Sequence, residues 1–382
     1  MVDDKYVKLF IRKQNTWEQR KLGDVVKINP KTELPNQFKY VDLESVVGTN
    51  LIDFKLVNKA DAPSRAQRLA SYGDVFYQTV RPYQRNNYLF EEDDQMTVFS
   101  SGYAQLRSNI NGYFLLTLVQ HDNFVKEVLD NCTGTSYPAI TGNELAKINV
   151  NIPKDKGEIN KIGESFRHID NLITLHQRKL NKLEKLKKAY LEELFPDGNQ
   201  CKPKRRFKDF KDDWEQRKLG DMTSNIGDGL HGTPKYDDSG EYYFINGNNL
   251  NGYKVIIDNE TKKVAENQLS NDDKRLNENS ILMSINGTIG TLARYNGEKI
   301  MLGKSVSYIN PSGIDRNYLY YYLQNDNVLK TFYKNLTGTT IKNLGLSVIK
   351  ETFIMKTTID EEFKIGKFFE NVDNLITLHQ HK

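Results

Sequence analysis

The 382-residue chain has little cysteine, little tryptophan and no long apolar run. Its two cysteines, Cys132 and Cys201, sit in unrelated settings, which excludes a disulfide framework and the CxxC spacing of a metal site. No apolar run approaches the ~18 residues that a membrane-spanning helix needs. The opening MVDDKYVKLFIRKQ carries acids near its start and no apolar h-region, so a signal peptide is not expected and the expected compartment is the reducing cytoplasm. HExxH and GxSxG are missing, and acids such as Asp197 and Glu215 lack the ordered partners of a nuclease. A net charge of +4 is too small to mark a nucleic-acid binder by itself. What is plentiful is globular material: 38% hydrophobic and 11% aromatic residues exclude disorder, and the length suggests two or three domains.

The charge is unevenly spread. Between Arg178 and Lys211 twelve basic residues face five acidic ones, a local excess of seven that reads either as a solvated helix face with a basic linker or as an electrostatic footprint.

The chain also writes itself twice. WEQRKLGD occupies residues 17–24 and returns at 214–221, carrying the only two tryptophans, Trp17 and Trp214. CTGTSYPAIT at 132–141 is echoed by LTGTTIKNLG at 336–345, and HIDNLITLHQRK at 168–179 by NVDNLITLHQHK at 371–382. Phe10 and Phe207 match upstream of the tryptophans. Landmarks in one order, seen twice, indicate a tandem duplication.

The last landmark is a helix. Ile162, Phe166, Ile169, Ile173, His176, Leu180, Leu183, Lys187, Tyr190 and Leu194 alternate by four and three, the a/d seam of a coiled coil from about Lys156 to Leu194. Ile365, Phe369, Val372, Ile376 and His379 keep the register in the second copy. Each stripe must be buried, and an antiparallel pairing of the copies places two bodies at opposite ends of a rod about a pseudo-two-fold axis. His176 and His379 read as seam histidines, with no second ligand at metal spacing. Because the second helix is shorter, Ile162, Phe166, Ile169 and Ile173 are expected to lack a full partner, from truncation or because another subunit covers them.

The bodies between the landmarks share little sequence. Both alternate as strands broken by Gly, Asn and Asp turns, with helical stretches near 115–129 and 317–333. In the first, QTVRPYQRNNY packs Gln78, Thr79, Arg81, Tyr83, Gln84, Arg85, Asn86 and Asn87 together, the side chains that pair with guanine and adenine edges. The second offers Asp228, His231, Thr233, Lys235, Asn286, Thr288 and Arg294 among glycines, which allow close backbone approach to a phosphate or groove. The TGT segments add Thr135 and Tyr137, and Thr339, Thr340 and Lys342. Gly227-x-Gly229-x-x-Gly232 matches a dinucleotide fingerprint by letter, but TPKYDDSGEYY follows where a helix is needed. GEKIMLGKS has one residue too many between its glycines for a phosphate loop.

Trp-x3-Lys-Leu-Gly-Asp at residues 17–24 and 214–221, two unlike bodies, DGLHGTP at Asp228–Pro234 and the repeated DNLITLHQ together resemble the specificity subunit of Type I restriction-modification enzymes. The resemblance covers nearly the whole chain. It implies an α+β fold of two similar α/β target recognition domains in a pseudo-two-fold arrangement, separated by a long antiparallel two-helix coiled coil. The expected divisions are 1–153 and 197–357 for the recognition domains, the latter with its linker, and 154–196 and 358–382 for the helices. It further implies double-stranded DNA as ligand, with each domain reading one half of an asymmetric, bipartite site, and no catalytic centre in this chain. Two modification subunits would bring S-adenosylmethionine and methylate adenine, while restriction subunits would bring ATP and Mg for translocation and cleavage. The helix residues expected to meet subunits are Ile162, Phe166, Ile169, Ile173, Leu180, Leu183, Ile365, Phe369, Val372 and Ile376. The sequence contains no Pro-Pro dipeptide, whereas adenine methylases carry one in their catalytic motif. The second helix is shorter than the family pattern, and Phe10 lies in a less regular stretch than Phe207. The rival reading is a coiled-coil scaffold that binds only proteins; an enzyme comes third.

Overall fold

The computed structural model describes residues 17–380 apart from 95, 198, 199 and 341, and divides into two units, Met1–Leu175 and His176–Lys382. Phe10 lies outside the described residues.

The repeated octet has one job in both units. Trp17–Lys21 is a strand paired antiparallel with Asn149–Pro153, and Glu215–Lys218 pairs in the same way with Phe353–Lys356. The ladder continues identically past each strand, with the Leu22 amide donating to the Ile148 carbonyl and the Leu219 amide to that of Thr352, both at 2.8 Å. Leu22 and Leu219 are wholly buried. The following glycine permits close packing: a Cβ on Gly23 would lie 3.0 Å from Ala146 Cβ, and one on Gly220 3.2 Å from the Lys350 carbonyl oxygen. The octet therefore zips the start of each body to the residues just before its long helix, plugs the joint with leucine, and admits a short helix, Gly142–Lys147 or Leu346–Glu351, against the glycine.

Inside these closures the bodies share a topology that their sequences conceal. One sheet of unit 1 runs Lys27–Ile28, Tyr103–Arg107, Val75–Gln78, Tyr88–Leu89; its counterpart in unit 2 runs Thr223–Asp228, Val306–Pro311, Ile281–Ser284, Leu292–Arg294. The second sheet is built on a parallel pair in both, Gln37–Val41 with Thr97–Ser100 and Tyr242–Ile245 with Ile300–Leu302. An antiparallel strand flanks each pair, Lys55–Asn58 or Lys263–Val264. Unit 1 adds Ala66–Leu69 at the other edge. Val75–Gln78 and Ile281–Ser284 are buried at every position, as strands covered on both faces must be. Residues 115–129 and 317–333 each resolve into two helices, Gly112–Gln120 with Asp122–Asp130 and Arg316–Tyr322 with Asp326–Lys334. The break falls where a side chain caps the second helix: His121 accepts from the Asn123 amide, and Asn325 from that of Asn327.

Each body hands over to a long helix, Lys156–Glu193 or Ile359–Gln380. A glycine on each sits against the residue that caps a body helix. A Cβ on Gly163 would fall 2.2 Å from Asn111 Oδ1, and one on Gly366 2.9 Å from Asp315 Oδ1. This contact corrects the heptad reading. Ile365, Phe369, Val372 and Ile376 are buried within unit 2, where Phe369 lies 4.9 Å from the Tyr321 ring, and are not free to meet another subunit. Ile162 is likewise half-buried against the core of unit 1. The aromatic helix Arg316–Tyr322 packs against Ile365 and Phe369 in one core, so the stripe faces the body as well as the other long helix. Phe166, Ile169 and Ile173 remain exposed.

Within unit 2 the two long helices run antiparallel. His176 Nδ1 is 3.0 Å from His379 Nδ1, Lys187 Nζ is 2.9 Å from the Asp373 carboxylate, and the Tyr190 and Phe368 rings are 5.0 Å apart, so numbers rise on one helix as they fall on the other. Leu180 and Leu183 are half-buried. No helix among the described residues is long and apolar enough to cross a membrane.

Two stability predictions follow from these joints. Leu22→Ala and Leu219→Ala should each cost ~2–5 kcal/mol in urea unfolding, as buried leucine truncations do. Gly163→Leu should cost at least ~1–3 kcal/mol by overpacking, because the helix must retreat from the Asn111 cap, and its melting temperature should fall accordingly.

Candidate nucleic-acid interface

In each unit the buried central strand ends beside the TGT segment, and the two form the floor of a cleft. The TGT segment closes into a loop by a pair of amide–carbonyl bonds, Thr133 with Ala139 at 2.9 Å and Thr337 with Asn343 at 2.9–3.0 Å. Gly134 and Gly338 hold φ of +87° and +89° at the bend, which explains the letter between the threonines. Each loop docks on the strand end in the same register. The Ile140 amide donates to the Thr79 carbonyl at 3.0 Å, and the Leu344 amide to the Ile285 carbonyl at 2.9 Å.

The cleft of unit 1 has a volume of about 550 Å³ and is lined by Glu44, Arg65, Gln78, Arg81, Gln84, Asn86 and Tyr137, among others. Its lip is strained. Arg81 and Arg85 hold φ of +53° and +55° on either side of the single turn Pro82–Gln84, a conformation that costs non-glycine residues energy and marks functional loops. The Arg81 amide donates to the Pro138 carbonyl at 2.8 Å, and its guanidinium lies 4.4 Å from the Tyr137 ring centre. A cation held over an aromatic face in this way is oriented before any ligand arrives. Tyr83, Gln84, Thr135 and Tyr137 are exposed, and Asn86 is half-exposed while its side chain accepts from the Gly48 amide.

Four expected contacts in this unit are scaffold instead. Gln78 is buried, donating to the Val80 carbonyl and to Gln84 Oε1 and accepting from the Asn86 amide. Asn87 is buried and ties the Gln78 amide to Gln120. Thr79 is buried, its hydroxyl donating to the Gly102 carbonyl. Arg85 points to the helix pair, donating to the Gln120 carbonyl at 3.1 Å and to Asp122 at 2.6 Å, and holds the Asp122 carboxyl below its ordinary range. The loop needs these bonds because no regular structure satisfies its backbone.

The cleft of unit 2 has a volume of about 440 Å³ and is lined by Asp228, His231, Asn246, Asn286, Lys304, Ser305 and Asn343, among others. Asp228 and the exposed His231 meet at 2.7 Å. Asn286 donates to the Lys304 carbonyl at 3.1 Å, and Asn246 accepts from the Ser305 hydroxyl. Thr233, Lys235, Thr288, Thr339, Thr340 and Lys342 are exposed. Arg294 is misassigned to this site. It pairs with Ile281 at the far end of the strand, donates to Asn317, and lies 3.8 Å from the Tyr320 ring centre in the body interior. The glycines of DGLHGTP also serve the fold: a Cβ on Gly229 would sit 2.0 Å from the Leu302 carbonyl oxygen, so that glycine lets the strand end run against the sheet. No helix follows Gly232, which removes the dinucleotide reading.

Arg65, Glu44, Asn246, Lys304, Ser305 and Asn343 escaped the sequence reading. They come from separate strand ends and turns, and nothing in their local sequence announces that the fold gathers them.

Comparison with known proteins bears on the whole chain. The model of the Type I restriction modification DNA specificity domain matches twice, over residues 14–185 and 211–382. The chain is 25% identical over 199 residues to the Type I restriction enzyme HindI specificity subunit of Haemophilus influenzae, a match covering 49% of this chain and 42% of that one. It is 22% identical over 397 residues to the putative Type I restriction enzyme MjaX specificity subunit of Methanocaldococcus jannaschii, covering 95% and 88%. In fold it is similar to the Type I restriction-modification system S subunit from M. genitalium, with a TM-score of 0.61 at 13% identity over 97% of this chain and 94% of that one. Two closed bodies of one topology, each ending in a long helix and each matched by that model, place the chain in the Type I restriction modification DNA specificity domain family, with two such domains in tandem.

Proposed function

We propose that each unit reads one half of an asymmetric, bipartite site on double-stranded DNA, and that the cleft between the central strand's end and the TGT loop is the reading head in both. The observation that carries this is one frame with two linings. Arg65, Arg81, Gln84, Asn86 and Tyr137 face one cleft; Asp228, His231, Asn246, Asn286 and Lys304 face the other. Arginine pairs bidentately with guanine and glutamine or asparagine with adenine, so different linings read different bases. The TGT loops offer hydroxyls and the Lys342 ammonium to phosphates, which position a protein without carrying sequence information.

In this reading the chain is non-catalytic. It directs two modification subunits, which bind S-adenosylmethionine and methylate adenine at N6, and restriction subunits, which use ATP and Mg to translocate and cleave, in the cytoplasm. The long helices supply the frame for those partners.

Four outcomes test the proposal. Arg81→Ala should leave the melting temperature nearly unchanged, cost ~1–3 kcal/mol in DNA binding, and relax one half-site only in methylomes mapped by long-read sequencing. Asn286→Ala or His231→Ala should relax the other half-site, and relaxation of both halves by either variant would count against the assignment. Gln78→Ala should behave differently, losing ~1–3 kcal/mol of folding stability because buried hydrogen-bond partners are stranded. Affinity for the target should fall steeply with salt, and a flat response would favour a protein scaffold.

A further inference from the structure

Among the exposed residues that line the cleft of unit 1, Glu44, Arg65, Gln84 and Tyr137 carry hydrogen-bonding groups, and Val47 carries none. Val47 is 56% exposed. It belongs to a hairpin that pairs Val46–Val47 with Asn50–Leu51 through a two-residue turn. Gly48 holds φ of +61° at the first turn position, where such a short loop asks for glycine. Val46 is wholly buried, and its partner Leu51 packs on the same core cluster as Phe76 and Phe99. Alternation along the strands then turns Val47 and Asn50 outward, and both are exposed.

The hairpin is held at both ends. At its base the Ile52 amide donates to the Ser45 carbonyl at 2.8 Å, and the buried Ser45 donates its hydroxyl to Asp42 at 2.8 Å. At its tip the Gly48 amide donates to Asn86 Oδ1 at 2.9 Å, which ties it to the arginine-flanked turn. The Asn86 amide in turn donates to the buried Gln78 side chain. Val47 is thus set beside Arg81 and Gln84 by backbone, and its branched side chain has one torsion and few rotamers. The cleft of unit 2 carries no such group: among the described residues its exposed lining is His231 and Lys304.

The base edges exposed in the major groove offer donors, acceptors and a single apolar group, the C5 methyl of thymine. On the reading of this cleft as a DNA head, we propose that Val47 is a specificity-determining residue that packs on one thymine methyl. The half-site of unit 1 therefore holds an A·T pair where the hairpin tip meets the groove. Arg81, Gln84 and Asn86 supply the hydrogen bonds to neighbouring edges, and Val47 supplies the contact that tells thymine from cytosine, which lacks the methyl. The two half-sites differ accordingly in chemistry as well as in order, since the second cleft reads with polar groups.

The test is a scan of the target mapped by methylome sequencing. Each thymine in turn is replaced by deoxyuridine, which removes the methyl and keeps the base pair, and binding to the full chain with its copurifying subunits is followed by anisotropy. One replacement should weaken wild-type binding about fourfold, the worth of one methyl group removed from water. Val47→Ala should bind the thymine and deoxyuridine duplexes equally at that position, while Val47→Ile should keep the difference. Val47 is exposed, so both variants should fold, and an unchanged melting temperature checks it. A scan in which no thymine matters, or in which the loss persists in Val47→Ala, overturns the proposal and leaves the DNA reading standing. A wild-type protein that does not prefer its target over an unrelated duplex overturns both.

Discussion

The strand pairing that joins the octet to the residues before each long helix is the constraint on which the rest depends. A body of more than a hundred residues, most of it short strands and turns, has few local contacts to hold it. Pairing Trp17–Lys21 with Asn149–Pro153, and Glu215–Lys218 with Phe353–Lys356, closes each body at its base. Leu22 and Leu219 seal the joints from within. Once the base is closed, the loops at the other end of the central strand are free to vary, because their conformation no longer decides whether the body folds. That is why the octet is kept letter for letter while the clefts differ in nearly every side chain.

The cleft follows from the same logic. Its floor is backbone held by backbone, in the TGT loop bridge and the strand end it docks on, and glycine at Gly134 or Gly338 meets the only demand on sequence. The walls are then side chains chosen for chemistry. In unit 1 the arginine-flanked turn is held by buried Gln78 and Asn87, so the half-exposed Arg81 and the exposed Tyr83 and Gln84 sit on a rigid support. Rigid placement matters for reading bases, since a bidentate contact loses its discrimination when its donors wander.

Much of this was legible in the amino-acid order. The duplication, the helix from Lys156 onward, the antiparallel sense of the helix contact and the family were all carried by landmarks long enough to be unmistakable. What escaped is the direction of individual side chains. Gln78, Thr79, Asn87 and Arg85 stand in one polar stretch with Arg81 and Gln84, and no pattern of period two survives in a strained turn to separate inward from outward. Arg294 failed for another reason: it ends a strand whose neighbour reverses direction, and that reversal moves it to the opposite end of the body. The heptad of Ile365, Phe369, Val372 and Ile376 correctly announced a buried stripe, but periodicity does not say what buries it. There the aromatic helix Arg316–Tyr322 shares the burial with the antiparallel long helix, Phe369 lying against Tyr321 while Asp373 pairs with Lys187.

Hydrogen–deuterium exchange on the chain with and without its DNA target tests the central claim most directly. One frame with two reading heads predicts new protection at residues 81–87 and 133–139 in the first unit and at 228–235, 285–291 and 337–343 in the second, with the base strands unchanged. Protection confined to one unit, or to the base strands and long helices while both clefts exchange as before, would contradict it.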